Sequence, residues 1–518
     1  MALAATKEHL LQDPWFALWL VLATLAFALL RTRLSGPPLP PGPMPLPIIG
    51  NMLMMDQLTH RGLAALAGKY GGLFHLRLGR LHTVVVSTPE YAREVLHVQD
   101  IAFSNRPAST AIAYLTYDRA DMAFAHYGPF WRQVRKLSAV KLFSRRRTES
   151  WLAVREGSAA LVRTVAESAG QSVNVGELIF ALTNNVVLRA AFGTRDGGRQ
   201  DEFIALMQEF SSLFGAFNVG DFIPWLSWVD ARGINKRLRA ARAFLDELID
   251  RIIDEHARSR KSTDDADADM VDDMLAFLDE ATDGDTAGNG DKDGFRLTKN
   301  NIKAIIMDFM FGGTETVAST VEWALAELLH SPSDLRRLQR ELADVVGLDR
   351  NVDEGDVEKL PFFRCVVKEI LRLHPPVPFL LHETAADCVV GRYAVPVGSR
   401  VIVNVWAINR DGEAWGKDAN AFRPARFMPG EGEAAAADLK GGCFEFIPFG
   451  SGRRACPAIV FGLYELELTL ARLVHAFEWA LPGGMKSEEL DMKDVFGLTA
   501  PRAVRLHAVP TPRLTCPL

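Results

Sequence analysis

The stretch Phe449-Gly-Ser-Gly-Arg-Arg-Ala-Cys456-Pro-Ala458 decides how this chain is read. It places one cysteine between a glycine-punctuated loop and a run, Pro457 to Phe477, whose apolar residues recur every three or four positions and predict a helix. Proline suits a first helical position, so Cys456 is expected just ahead of a helix N-terminus. There the helix dipole and unpaired N–H groups favour a thiolate over a thiol. The glycines let the backbone approach a flat ligand closely, and Arg454 is placed to meet a negative carboxylate. Two other readings compete. A lone buried cysteine is usually a small hydrophobe. Gly450-x-Gly452-x-x-Ala455 also nearly matches a dinucleotide-binding fingerprint. The second fails on context, because two arginines fill the turn and the helix occupies the stretch where a second strand and its acidic residue belong.

Three further patterns stand elsewhere. Phe311-Gly-Gly-Thr-Glu315-Thr316 lies inside a long helical pattern, Asn300 to His330. Each mid-helix glycine costs roughly 1 kcal/mol against alanine, so the pair needs a reason, and a close helix–helix contact is one. Glu369-Ile-Leu-Arg372 sets two charges on one helical face, and Phe422-Arg-Pro-Ala-Arg426-Phe follows some fifty residues on. Trp131-Arg-Gln-Val-Arg135 spaces its members four apart on a helix.

Together, in this order, these residues resemble the cytochrome P-450 superfamily of haem-thiolate monooxygenases. Its signature Phe-x-x-Gly-x-Arg-x-Cys-x-Gly is matched at every point but the last, where Ala458 stands. The resemblance covers the chain from about Pro37 to the C-terminus. It implies a mainly α fold with a small β part, in one large catalytic domain behind an N-terminal anchor. It implies haem b, with Cys456 as the iron ligand and Phe449, Gly450, Arg454 and Gly313 around the cofactor. Trp131 and Arg135 are expected at a haem propionate, with His382 where many relatives put an arginine. Glu369, Arg372 and Arg426 are expected to form a structural network. Gly312-Gly313 marks the family's oxygen-binding widening of the helix, where Glu315 and Thr316 match the acid–alcohol pair that delivers protons for O–O cleavage. Met310, Gly313 and Val317 are expected to share the face over the haem.

Several strings, among them Phe217-Asn-Val-Gly-Asp-Phe-Ile-Pro-Trp-Leu226 and Leu381-His-Glu-Thr-Ala385, look like the plant ferulate/coniferaldehyde 5-hydroxylases. That group hydroxylates the ring beside a guaiacyl phenol on the way to syringyl lignin. A flavonoid ring hydroxylase is the nearest alternative, and a non-catalytic haem protein the alternative from another class. The substrate pocket is expected from Ile112, Phe124, Phe214, Phe217, Ile306, Met310, Thr314, Val377, Leu380, Phe496 and Leu498.

The remaining sequence fits this reading. The chain has 518 residues, 48% hydrophobic, with formal charge −6, which argues against wholesale nucleic-acid binding. Five scattered cysteines without a CxxC suit a reducing compartment. Pro14 to Leu30 is an uncharged run of 17 residues followed by Arg31 and Arg33, which predicts a signal anchor with the body on the cytosolic face of the endoplasmic reticulum. We divide the chain into an anchor (1–36), a Pro-rich hinge (37–50) expected to be a stiff strut, and the catalytic body (51–518). Strand-like runs are Thr83–Ser87 and Arg400–Val405; further helical patterns are Asn235–His256, Ser333–Val346 and Phe362–Leu373. Residues 264–293 hold twelve acidic residues and one lysine, read as a solvated loop around a short piece, Met270–Leu278, and not a calcium site. No nucleotide or flavin fingerprint is present, so electrons must arrive through a partner, which the resemblance implies is the NADPH–cytochrome reductase. Seven basic residues between Trp131 and Arg147 (Arg132, Arg135, Lys136, Lys141, Arg145, Arg146, Arg147), with no acidic one, offer a docking patch.

Overall fold

A computed structural model of the chain describes residues 24, 36–107, 109–139, 152–192, 206–207, 209–210, 212–214, 218–230, 233–258, 271–272, 274–276, 297–430 and 432–517. In chain order, the elements that frame the site are α1 (His60–Tyr70), β1 (Leu73–Leu78), β2 (Leu81–Val86), α2 (Pro129–Leu137), α3 (Val175–Phe192), α4 (Ile234–Arg258), α5 (Lys299–His330) and α6 (Pro361–Leu373). They continue with β3 (Phe379–Glu383), β4 (Arg400–Asn404), α7 (Ile459–Ala476), β5 (Phe477–Ala480) and β6 (His507–Pro512). The result is mainly helical with a small β part.

α5 is apolar on nearly every face, the composition of a helix surrounded by protein. A capping box starts it: Asn301 N–H donates to the Thr298 hydroxyl while Asn301 Oδ1 accepts from Thr298 N–H. Its far half is tied down by polar contacts. Trp323 stacks on His374 at 3.9 Å, and the His374 ring lies 2.6 Å from Glu327. Buried Glu322 accepts from Arg505 and from Leu506 N–H, both at 2.8 Å. α3 and α7 pack along its sides. The helix runs unbroken through Gly312-Gly313. The hydroxyls of Thr314 and Thr316 donate back to the carbonyls of Met310 and Gly312 at 2.8 and 2.7 Å.

The larger sheet runs β1-β2-β4-β3, with β2 and β4 parallel and the outer pairs antiparallel. β2 and β4 fall where the β-branched runs predicted them. The proline-rich stretch is not a free strut. Pro38 and Pro41 carbonyls accept from Ala394 and His75 N–H groups, each at 2.8 Å. A Cβ on Gly42 would lie 1.9 Å from His75 O, so only glycine lets the chain lie this close to β1. The anchor run 14–30 falls, Thr24 apart, outside the described residues. No helix of the described residues is long and apolar enough to cross a membrane. Most of the acidic stretch 264–293 also lies outside them.

Glu369, Arg372 and Arg426 come together with no exposed surface. Arg372 grips Glu369 with two bonds of 2.8 Å, and Arg426 Nε reaches the same carboxylate at 3.1 Å. Other guanidinium N–H groups donate to carbonyls, including Asn409 and Ala419 from Arg372 and Asp418 from Arg426. The two cations are balanced by Glu369, by these carbonyls and, for Arg426, by the Glu433 and Asp418 carboxylates at 3.4 and 3.7 Å. The network thus pins the segment 409–426 beneath α6. Arg426→Leu strips the carboxylate of one cation and leaves several carbonyls unpaired, at a cost of about 3–5 kcal/mol. Denaturant unfolding should show that loss, and an unchanged midpoint would contradict the assignment.

Candidate active site

The cysteine loop closes on itself. Cys456 N–H donates to Phe449 O at 2.9 Å and Ala455 N–H to Gly452 O at 3.2 Å. Gly450 and Gly452 take φ of 72° and 68°, the left-handed region. At Gly452 a Cβ would also lie 2.2 Å from Leu96 O, so the position needs glycine twice over. Ala458 sits at φ −103°, ψ 24°, which alanine adopts freely, so its replacement of the family's glycine strains nothing. α7 begins only at Ile459, with Ala458 as its N-cap, so Pro457 precedes the helix and Cys456 is farther from its end than expected. Burial is the leading influence on the Cys456 thiol and pushes it up; Ala458 N–H and Arg135 pull the other way without prevailing. The expected preference for a free thiolate is therefore corrected. Desolvation outweighs the helix end, and a bound metal ion is what would hold the sulfur deprotonated.

Cys456 lines a cavity of about 370 Å³ between α5, α2, the loop at Met122–Phe124 and the segments 376–381, 448–449 and 498–499. Three arginines line it with the cysteine. Arg106 donates to Leu381 O, Arg135 to Ala455 O at 2.7 Å, and Arg454 to the carbonyls of Ser104, Met122 and Ala125. Arg454 lies over the Trp131 ring, 4.5 Å from its centroid, and Trp131 Nε1 donates to Met122 O at 3.1 Å. None of the three forms an ion pair with a carboxylate among the described residues. Burial pulls Arg106 down to about 10 and Arg454 to about 9; the neighbouring guanidiniums add to it and Asp121 opposes it. His382 does not reach the cavity wall. It is buried with Nδ1 2.7 Å from Phe103 O, and burial first, then Arg106, push its pKa well down. Arg106, which no motif marked, lines the cavity instead.

On α5 the cavity is lined by Ile305, Met307, Asp308, Phe309, Phe311, Gly312, Gly313, Glu315 and Thr316. Ile306, Met310 and Thr314, which were expected among them, do not line it. Met310 and Thr314 instead bound a separate void of about 10 Å³ with Phe180 and Met207, and Glu315 touches both spaces. The glycines differ in purpose. A Cβ on Gly313 would lie 2.8 Å from Val187 of α3, whereas Gly312 has nothing within 4 Å and opens to the cavity. Val317 is buried on the other side, in contact range of Gly462 of α7. Phe124, Phe214, Val377, Leu380 and Leu498 line the cavity as expected, as do Phe449, Trp131 and Arg135. Ile112 is buried elsewhere, and Phe496 is displaced outward, packing edge-on behind the lining residue Phe379 at 5.4 Å. Phe217, Lys141 and Arg145 to Arg147 lie outside the described residues; Arg132 and Lys136 are exposed.

The cytochrome P450 family profile matches residues 40–505. The chain belongs to the cytochrome P450 family. It is 58% identical to cytochrome P450 84A1 of Arabidopsis thaliana, over 98% of both chains. It is 40% identical to a flavonoid 3'-monooxygenase of Crocosmia x crocosmiiflora, over 97% of this chain and 98% of that one. A solved zebra fish cytochrome P450 with progesterone superposes at TM-score 0.73 and 28% identity, covering 88% of this chain and 99% of that one. The chain is thus a plant P450 monooxygenase, of a family that works with haem, O2 and NADPH-derived electrons.

The residues present fit haem. Three half-buried guanidiniums lining one cavity, none in an ion pair with a carboxylate among the described residues, suit an occupant carrying two carboxylates, as protoporphyrin does. Gly312, Gly313, Ala455 and Ala458 keep the walls low for a flat ring, and Cys456 supplies the soft ligand. Arg106→Leu and Arg135→Leu should each lower haem retention on dialysis several-fold, since a charge-assisted bond is worth about 1.5–3 kcal/mol. Lys136→Leu, on the exposed face, should leave it unchanged. Equal retention in all three would show that the arginines do not hold the cofactor.

Proposed function

We propose that this P450 hydroxylates the aromatic ring of guaiacyl phenylpropanoids (coniferaldehyde, coniferyl alcohol or ferulate) at the 5-position, supplying syringyl lignin. The observation that carries the reading is the match of the chain's distinctive strings, Gly312-Gly-Thr-Glu-Thr316 and Leu381-His-Glu-Thr-Ala385 among them, to the ferulate/coniferaldehyde 5-hydroxylase pattern. The 58% and 50% identities to P450 84A1 and 84A4, against 38–40% to the flavonoid 3'-monooxygenases, argue in the same direction. The cavity agrees. Phe124 and Phe214 stack nearly parallel at 5.7 Å, offering a flat apolar wall beside Val377, Leu380 and Leu498. The space must take the porphyrin as well as the substrate, which favours a one-ring phenol over a three-ring flavonoid.

Bound haem would supply oxygen activation at a thiolate-ligated iron. The chain's own residues do the rest. Arg106, Arg135 and Arg454 would hold the propionates, and the phenylalanine wall orients the ring and excludes water. The Thr316 hydroxyl faces the cavity with its proton donated to Gly312 O, positioned to pass a proton inward. Glu315, touching the cavity and the adjoining void, is placed to resupply it. That arrangement also argues against a non-catalytic haem protein, which has no use for a proton path. Electrons would come from NADPH–cytochrome reductase, docking on the basic surface that includes exposed Arg132 and Lys136. The N-terminal run would hold the protein at the endoplasmic reticulum membrane, facing the cytosol.

Membranes carrying this chain and reductase should convert coniferaldehyde, coniferyl alcohol or ferulate at least about tenfold more efficiently than a flavonoid, a selectivity that one or two polar contacts and ring fit can supply. Preference for the flavonoid would overturn the substrate assignment. In the same assay Thr316→Ala should leave substrate binding intact while diverting NADPH electrons to hydrogen peroxide. A parental product yield per NADPH would remove Thr316 from the proton path.

A further inference from the structure

Asp308 interrupts the apolar run Ile305-Ile-Met-Asp-Phe-Met-Phe311, on the face of α5 that meets the cavity. Its Oδ2 accepts two consecutive backbone donors, Met122 N–H at 2.8 Å and Ala123 N–H at 3.1 Å. Beside it Asp121, wholly buried, accepts Phe124 N–H at 3.1 and 3.2 Å and shares a side-chain hydrogen bond with Asp308. The opposite edge of the same loop is gripped by cations and an indole. Met122 O accepts from Arg454 and Trp131, and Ala125 O from Arg454. Loop 121–125 therefore has its N–H groups held by an acid pair and its carbonyls held by the cysteine loop and α2. Phe124, on this loop, stacks on Phe214, which meets Phe311 of α5 edge-on at 5.3 Å.

A loop of five residues with no secondary structure of its own ordinarily moves, and a wall built on it moves too. Here two charge-assisted bonds converge on one carboxylate, a stronger restraint than neutral bonds supply. Two carboxylates in contact cannot both ionise. Burial raises Asp121 well above the ordinary range and Asp308 to about 6, so the pair keeps one proton between them while Asp308 Oδ2 accepts the two loop N–H groups. The machinery for oxygen chemistry needs none of this.

We propose that Asp308, with Asp121 beside it, is a positioning residue for ring hydroxylation: it fixes loop 121–125 so that Phe124 becomes a rigid wall against the substrate ring. The inference rests on the proposed function only for the choice of ring substrate. Asp308 acts through the loop and need not touch the substrate.

The test uses the full-length holoenzyme with reductase and begins without substrate. Hydrogen–deuterium exchange should show the amides of Met122 and Ala123 protected in the parent, and that protection should be lost in Asp308→Ala. The same variant should keep the thiolate-type carbon monoxide spectrum while KM for the preferred phenol rises about tenfold and product per NADPH falls, as expected for losing two bonds to a charged acceptor. Asp308→Asn retains an oxygen for the two N–H groups and a donor toward Asp121, so it should recover most of both readouts. Phe124→Ala should reproduce the loss of coupling with the amides still protected, and it serves if Asp308→Ala fails to hold haem. Rapid exchange at Met122 and Ala123 in the parent overturns the proposal, as does normal coupling in Asp308→Ala or Phe124→Ala. Damage in Asp308→Asn equal to that in Asp308→Ala also overturns it. The exchange arm contains no substrate, so a wrong substrate class shows up separately, in the turnover panel.

Discussion

Three guanidiniums converging on one cavity repel one another, and the Asp121 carboxyl and nearby carbonyl oxygens offset them only in part. Arg106, Arg135 and Arg454 come from three separate segments, yet their charges converge within a space that also contains Cys456. An anion among them relieves that repulsion, and low walls of glycine and alanine suit a flat dianion. The cofactor thus becomes part of the fold's electrostatics. The buried thiol has the complementary problem, because its surroundings favour the neutral form until a metal ion takes the proton's place.

α5 gives this cavity its shape by assigning different work to successive faces. Gly313 brings α3 close, Gly312 leaves room over the ligand, Thr316 presents its hydroxyl, and Asp308 ties down the loop that carries Phe124. A helix buried on all sides can do this because each face meets a different neighbour. The Glu369–Arg372–Arg426 network does the equivalent for the far wall, fixing the segment that leads into the cysteine loop.

Much of this was legible in the sequence, and the reasons are physical. Cys456, Arg454, Trp131–Arg135, Glu369–Arg372 with Arg426, and Glu315–Thr316 belong to short motifs whose spacing fixes which side chains share a face. Long helices with strong apolar periodicity were placed to within two residues. Pocket residues fared differently. Ile306, Met310 and Thr314 were expected at the cavity and do not line it, since periodicity locates an apolar helix but not which of its residues meet a void. His382 and Arg106 illustrate the limit of motifs, because a chain reaching the cavity from a loop leaves no periodic trace. Asp308, which no motif marked, did leave one: the single carboxylate in the otherwise apolar stretch 305–311 needs a buried partner.

The central claim, that Cys456 ligates haem iron within this arginine-rimmed cavity, is tested most directly by the reduced carbon monoxide spectrum of the parent and of Cys456→Ser. The account predicts an absorption at the position typical of thiolate-bound haem in the parent and its disappearance in the variant. A Cys456→Ser protein that keeps that band would contradict it.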